Sequence, residues 1–144
     1  MQTITEYTRS TYRSINRNLL LGIVTEQAAE LIEAVSSLPT FPGTTYRTFW
    51  VDEVEPFIAT LGVGQIRLKP FTSTSRLQAL ANRFNGNVKL TIQGKTGRDI
   101  SPFSDSPTEM ETLFLPGCNF RVTRVRTKKI GDRVIAVEAE LIEL

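Results

Sequence analysis

Between Ser101 and Gly117 the chain reads SPFSDSPTEMETLFLPG, a loop rich in Ser, Pro and Asp that delivers Glu109 and Glu111 onto the front of an apolar strand. Residues two apart on a strand share a face, so the spacing predicts both carboxylates pointing into one cleft. Two carboxylates so placed are an arrangement for chemistry. The same Glu-x-Glu spacing recurs at Glu53/Glu55 and Glu138/Glu140. Because it also marks the wet face of any half-buried strand, the surroundings must decide between the copies.

Composition narrows the chemistry. There is no histidine among the 144 residues, which removes Ser-His-Asp and Cys-His catalysis, imidazole bases and most transition-metal sites. Catalysis must rest on carboxylates, hydroxyls and arginines. Cys118 is the single cysteine, so no internal disulfide forms and a zinc site has no ligand set; no metal is expected. A net charge of +2 is too small to argue for nucleic acid. No window approaches the roughly 18 to 20 apolar residues of a membrane span. The N-terminus also lacks a basic segment followed by a hydrophobic one. The expectation is a soluble single domain over residues 1–144, with a helical part at 1–38 and a mainly β part at 44–144.

The elements that must position the glutamates follow from periodicity. Thr3 and Glu6 have capping-box spacing, and Tyr12, Ile15 and Leu19 follow at helical intervals before Gly22, predicting a first helix. From Glu26 to Leu38, Ala28, Leu31, Ile32 and Val35 form an apolar stripe opposite Glu26, Glu30 and Glu33, predicting a second. Thr44 to Val51 reads as a strand with Arg47, Phe49 and Val51 on one face. Arg47 therefore keeps apolar company and needs an anionic partner, either a neighbouring glutamate or a ligand.

Asp52 and Glu55 repeat the capping spacing ahead of Val54, Phe57, Ile58 and Leu61, with Gly62 closing a third helix. That puts Glu53 and Glu55 at a helix N-terminus, where they favour the dipole. Gly64 to Phe71 alternates as a strand that runs into Thr72, Ser73, Thr74 and Ser75, whose hydroxyls cap a short helix from Arg76 to Ala81 or serve a site. Val88 to Gln93 and Arg133 to Leu144 read as strands, the latter with Glu138 and Glu140 on its solvated side. Arg121, Arg124, Arg126, Lys128 and Lys129 make a basic run, either a solvated strand face or a site for an acidic partner. Helices followed by short strands give an α+β domain.

An arginine inside a strand, Ser-Thr-Ser at a strand end, and Glu-x-Glu behind a Ser/Pro loop occur here in that order. The order resembles the R-S-E class of mono-ADP-ribosyltransferases, the family of the clostridial binary toxins and the arginine-specific ecto-enzymes, over roughly Leu31 to Val125. The resemblance implies an ADP-ribosyltransferase fold: two small, packed, mainly antiparallel sheets forming an NAD cleft, with N-terminal helices on one side. It implies that Arg47 holds the phosphates of NAD+, the co-substrate, and that Ser73 orients Glu111, with Thr74 and Ser75 shaping the same strand end. Glu111 becomes the catalytic residue and Glu109 the group that engages the acceptor guanidinium. Phe84 falls where the family sets an aromatic ring against nicotinamide, and Phe103 is either an acceptor contact or an anchor for the loop. Where the family has glycine after the strand arginine, this chain has Thr48, which keeps the backbone donor and adds a side chain.

The function so implied is transfer of ADP-ribose to arginine of a target protein, by a bacterial toxin or effector domain delivered into a target cell and held in check by a cognate immunity or inhibitor protein. Three alternatives stay open. Water in place of arginine gives an NAD glycohydrolase; nucleic acid as acceptor has only the basic run behind it; and a silent NAD-binding module would release no nicotinamide.

Overall fold

The computed structural model describes residues 1–83 and 85–144. The first helical stretch comprises α1 (Gln2–Glu6), a π turn over Tyr7–Thr11 and α2 (Tyr12–Leu20). It starts two residues earlier than the Thr3/Glu6 spacing predicts, with Met1 rather than Thr3 at the N-cap, so Thr3 lies inside the first turn and no side chain caps it. Burial of Ile4, Tyr7, Ile15 and Leu19 sets the helix instead. Gly22, at φ 79°, ends it as a Schellman motif: its N–H donates to Leu19 O at 3.0 Å and that of Ile23 to Asn18 O at 2.8 Å. In α3 (Glu26–Ser36), Thr25 accepts from the Ala28 N–H at 3.2 Å and the Ala28, Leu31 and Val35 stripe is fully buried.

Strand β1 (Gly43–Phe49) stops two residues short of the expected Val51. The Asn87 side chain takes over there, accepting from Val51 N–H at 2.9 Å and donating to Val51 O at 2.8 Å. Gly86 beside it has no room for a Cβ, which would run into the Phe49 carbonyl. Helix α4 (Val54–Leu61) has Glu53 as its N-cap residue and Glu55 in its first turn, as expected for that pair, although Asp52 does not cap it.

The strand predicted to run from Gly64 into the hydroxyl cluster at Thr72–Ser75 is two strands. β2 (Gln65–Leu68) and β3 (Thr72–Ser75) flank Pro70, whose missing N–H breaks the ladder, and they pair with different partners. The hydroxyl residues thus form a strand of their own. Then follow α5 (Gln78–Ala81), β4 (Val88–Gly94), β5 (Arg98–Asp99), β6 (Glu111–Phe114), β7 (Cys118–Ile130) and β8 (Arg133–Glu143).

The strands run in the order β2-β7-β8-β4-β1-β3-β6-β5, antiparallel except for β4 with β8. Only Tyr46 and Ser75 pair across β1 and β3, so the run divides there into a five-stranded and a three-stranded sheet. Each has its own core. α4 packs with the larger sheet around Val88, Leu90, Phe120 and Leu141. The N-terminal helices pack with the smaller one around Leu31, Phe71, Ile100 and Leu113. Among the described residues no helix is long and apolar enough to cross a membrane.

Candidate active site

At the seam between the sheets lies a cleft of about 380 Å³. Arg47 and Thr48 reach it from β1, Ser73, Thr74 and Ser75 from β3, and Glu109 and Glu111 from the loop and the start of β6. Seven residues singled out from sequence therefore meet at one place. Phe84 lies outside the described residues. Phe103 packs against the N-terminal core rather than lining the cleft, acting as an anchor for the loop.

The two glutamates meet there, but not by strand alternation. Glu109 closes a 3-10 turn over Pro107–Glu109, Met110 is left-handed at φ 50°, and Glu111 is the first residue of β6. The reversal at Met110 leaves Glu109 exposed and Glu111 only 9% exposed. Burial pushes the Glu111 carboxyl above the usual carboxylate range; the Ser73 hydroxyl beside it opposes that, the Glu109 charge adds to it, and Arg47 opposes it. The Glu111 carboxyl is thus desolvated yet lies in the field of a cation.

Arg47 answers the question left by its apolar strand face. Its Nη1 donates to Ser73 O at 2.8 Å and its guanidinium stacks 5.1 Å from the Phe49 ring centroid. Among the described residues the ion pairs are Arg9 with Asp105 and Arg76 with Asp99, so no carboxylate lies within 4.0 Å of Arg47. Burial lowers its guanidinium pKa, against the opposing fields of Tyr7 and Glu111. A desolvated, unpaired guanidinium lining a cleft fits the anionic pyrophosphate of a dinucleotide.

The other hydroxyls hold the glutamate loop. Thr74 Oγ1 donates to Thr112 O at 2.7 Å, and Ser75 Oγ donates to Glu109 O at 2.9 Å while accepting from Leu77 N–H at 3.2 Å. The second contact gives Ser75 part of the helix-capping job that its residue type suggested, and the first ties it to the glutamate turn. Arg76 N–H donates to Met110 O at 3.2 Å and its side chain pairs with Asp99 at 2.7 Å, clamping both ends of the loop. Burial alone would raise the Asp99 carboxyl, but Arg76 and Ser101 hold it below its ordinary range. On the outer side, Thr5 Oγ1 donates to Phe103 O at 2.6 Å and Asp105 N–H donates to Thr8 Oγ1 at 2.9 Å.

Four cleft residues of the first helical stretch escape a reading by period: Tyr7, Thr8, Tyr12 and Asn16. Tyr12, whose spacing groups it with the apolar stripe, is 36% exposed and faces the cleft. Asn16 donates to Tyr7 Oη at 2.9 Å and accepts from Phe71 N–H at 3.0 Å, tying the helix to the approach of the hydroxyl strand. Burial raises the Tyr7 phenol pKa, opposed by the Asn16 hydrogen bond. An asparagine between Ile15 and Leu19 was the one available signal. The π turn, which re-phases the helix face, left none in the sequence.

This chain belongs to the NAD:arginine ADP-ribosyltransferase family, whose family model matches residues 34–139. It is 41% identical over 96 residues to the NAD(+)–protein-arginine ADP-ribosyltransferase Tre1 of Pseudomonas putida, covering 62% of this chain and 18% of Tre1. It is 32% identical over 143 residues to Vis of Vibrio splendidus, covering 86% of this chain and 53% of Vis. The chain thus spans from under a fifth to about half of these relatives. Among solved structures, the ADP-ribosyltransferase HopU1 of Pseudomonas syringae superposes with a TM-score of 0.75 at 19% identity, over 99% of this chain and 75% of that one. Vis in complex with agmatine gives 0.74 at 23%, over 99% and 73%. The shared fold is the ADP-ribosyltransferase fold, α+β with a mainly antiparallel sheet and N-terminal helices.

Proposed function

We propose that residues 1–144 form one catalytic domain, helical over 1–38 and mainly β over 44–144, that transfers ADP-ribose from NAD+ to an arginine of a target protein, as a toxin or effector does. The observation that carries this reading is the buried Glu111 beside Ser73 in the same cleft as Arg47, a guanidinium without a carboxylate partner among the described residues.

Arg47 binds the pyrophosphate with its fixed fork of donors. Glu111 accepts from the 2'-hydroxyl of the nicotinamide ribose and, ionised, stabilises positive charge at C1' as the N-glycosidic bond breaks. The bonding pair leaves with nicotinamide, which departs neutral, so no general acid is required. The acceptor Nη then bonds to C1'. A guanidinium has a pKa above about 12 and is a poor nucleophile while protonated, so Glu109, exposed at the mouth, orients it and takes its proton. Thr48 presents its backbone to the nicotinamide end. Agmatine, the ligand in the Vis complex, is itself a guanidinium compound, which supports an arginine acceptor.

The deciding experiment is incubation with labelled NAD+ and a cell lysate, following free nicotinamide and label on macromolecules, with Glu111→Ala as control. Hydroxylamine-sensitive label on protein, absent from the variant, is the expected result. Nicotinamide release with no label transferred replaces this reading with NAD glycohydrolysis, in which water takes the place of arginine; label removed by nuclease replaces it with nucleic-acid modification.

A further inference from the structure

A second groove, of about 410 Å³, lies away from the cleft, between the β4 start and the β7–β8 hairpin. Lys89, Arg126 and Lys128 line it with Glu138 as the one carboxylate, a local sum of +2 (three cations less one anion), against +2 for the whole chain. Arg126 and Glu138 stand opposite each other in the hairpin register. Even so, among the described residues none of the three cations belongs to an ion pair, which leaves them free for an outside anion.

The register ties this groove to the catalytic cleft. Thr48, which lines the cleft, pairs with Lys89; Lys89 pairs with Glu138; and Glu138 pairs with Arg126. Directly paired residues share a sheet face, so one row of side chains leads from cleft to groove. Three strand spacings of roughly 4.8 Å put Arg126 about 14 Å from Thr48, which an extended chain covers in about four to five residues. Asn87 forms another wall while clamping Val51. The residue before Val51 is Trp50, 66% exposed, an aromatic of the type that anchors protein contacts.

We propose that this groove receives an acidic, extended segment of the acceptor protein, so that the preferred target arginine has aspartates or glutamates at least about four to five residues away along the bound chain. The inference rests on the transferase reading above. Glu138 interrupts the row and Glu140 follows it on the same strand face, exposed. A continuous phosphate backbone meets that interruption unfavourably, whereas a protein can space its carboxylates around it.

The test uses the whole chain and two synthetic peptides with one arginine each, one carrying four glutamates beginning five residues away and the other glutamines there. Expected for the wild type at low salt is a kcat/KM about tenfold higher for the acidic peptide, shrinking as salt is added. In Lys89→Glu/Arg126→Glu/Lys128→Glu the preference should vanish or invert, while nicotinamide release without acceptor stays within about twofold. Lys89→Gln/Arg126→Gln/Lys128→Gln serves should the reversed variant misfold. Fluorescence anisotropy of a labelled acidic peptide lacking arginine reads the groove without catalysis, and its binding should be lost in the same variants. Equal use of both peptides by an active wild type, equal binding of the probe by variants and wild type, or tighter binding of a single-stranded RNA oligonucleotide at matched charge overturns the proposal. Failure of the transferase reading registers separately, as no nicotinamide release from the wild type or as release with label on neither peptide.

Discussion

Glu109/Glu111 and Glu138/Glu140 have the same spacing and opposite fates. In β8 the alternation of a strand holds: Glu138 and Glu140 are exposed opposite Arg126 and Arg124, while Val137, Ala139 and Leu141 fill the core between β7 and β4. At the cleft the alternation is broken by Met110, so one carboxylate stays in water and its neighbour is buried. The spacing is therefore not the active feature. What differs is a left-handed residue between the glutamates and a serine, Ser75, that grips the first one's carbonyl from the next strand. One pair became two groups with different environments, which is the condition for giving them different jobs.

The sharpest way to break the comparison is at the buried member. Glu111→Gln is isosteric and should cut nicotinamide release about a thousandfold, the scale for losing one group that stabilises transition-state charge. Its pH dependence has a definite sign. Burial raises the folded-state pKa of Glu111 above its unfolded value, so folding is favoured with the carboxyl protonated and that advantage is lost as pH rises through the folded pKa. Glu111→Gln should then melt higher than wild type at pH 7, with the gap closing as pH falls through the raised folded value and gone below the usual carboxylate range. In the wild type, nicotinamide release should decline on acidification starting above that range, because the ionised form is the active one. Thermal melts and a pH–rate profile check both, and a variant less stable than wild type at pH 7 would contradict the desolvated carboxylate.

Arg47→Lys should come next. A point charge on a flexible stem replaces the planar fork, and about a tenfold to hundredfold rise in KM for NAD+ is expected with a smaller change in kcat. Glu109→Gln, at the exposed position, should lower transfer to a peptide arginine about fiftyfold while nicotinamide release stays within about threefold. The two glutamates are then separable by assay. Equal losses in both assays would mean that they act as one unit.

How much of this was legible is best seen residue by residue. Arg47, Ser73 and Glu111, which the fold brings to one cleft, stand out in the sequence through their order and its resemblance to a family, since each alone has a structural alternative: a salt bridge for the arginine, helix capping for the hydroxyls, a solvated strand face for the glutamates. The helix over Glu26–Ser36 and the strands at Val88 and Arg133 followed from period alone, since their burial is one-sided. The contribution of Tyr7 and Asn16 did not, because a π turn over Tyr7–Thr11 shifts the helix face and leaves no compositional mark. Nor did the division of residues 64–75, where Pro70 marked a break but local sequence says nothing about strands joining different sheets. Met110 gave no warning either, since Met is not among the residues that ordinarily take the left-handed region.

That last residue supplies a smaller but more diagnostic test. Met110→Gly removes the Cβ conflict of a left-handed residue, worth about 1 kcal/mol, but frees the unfolded chain and loosens the turn, so the net change in stability should stay within about 1 kcal/mol. Met110→Val puts a β-branched side chain at positive φ, an outlier position, and should cost about 1–3 kcal/mol or force the turn to reverse. If the turn reverses, strand alternation returns through residues 109–111 and the cleft pair comes to resemble the β8 pair. Transfer should then fall more than stability alone explains, with nicotinamide release following as Glu111 loses its buried position. Glu140→Gln in β8 is the control at the bottom of the scale, because an exposed glutamate opposite an exposed arginine contributes at most about 1 kcal/mol. Nicotinamide release by that variant should stay within about twofold of wild type. A loss there like that at Glu111 would mean the two Glu-x-Glu copies are coupled after all, through the strand row that joins β8 to β1.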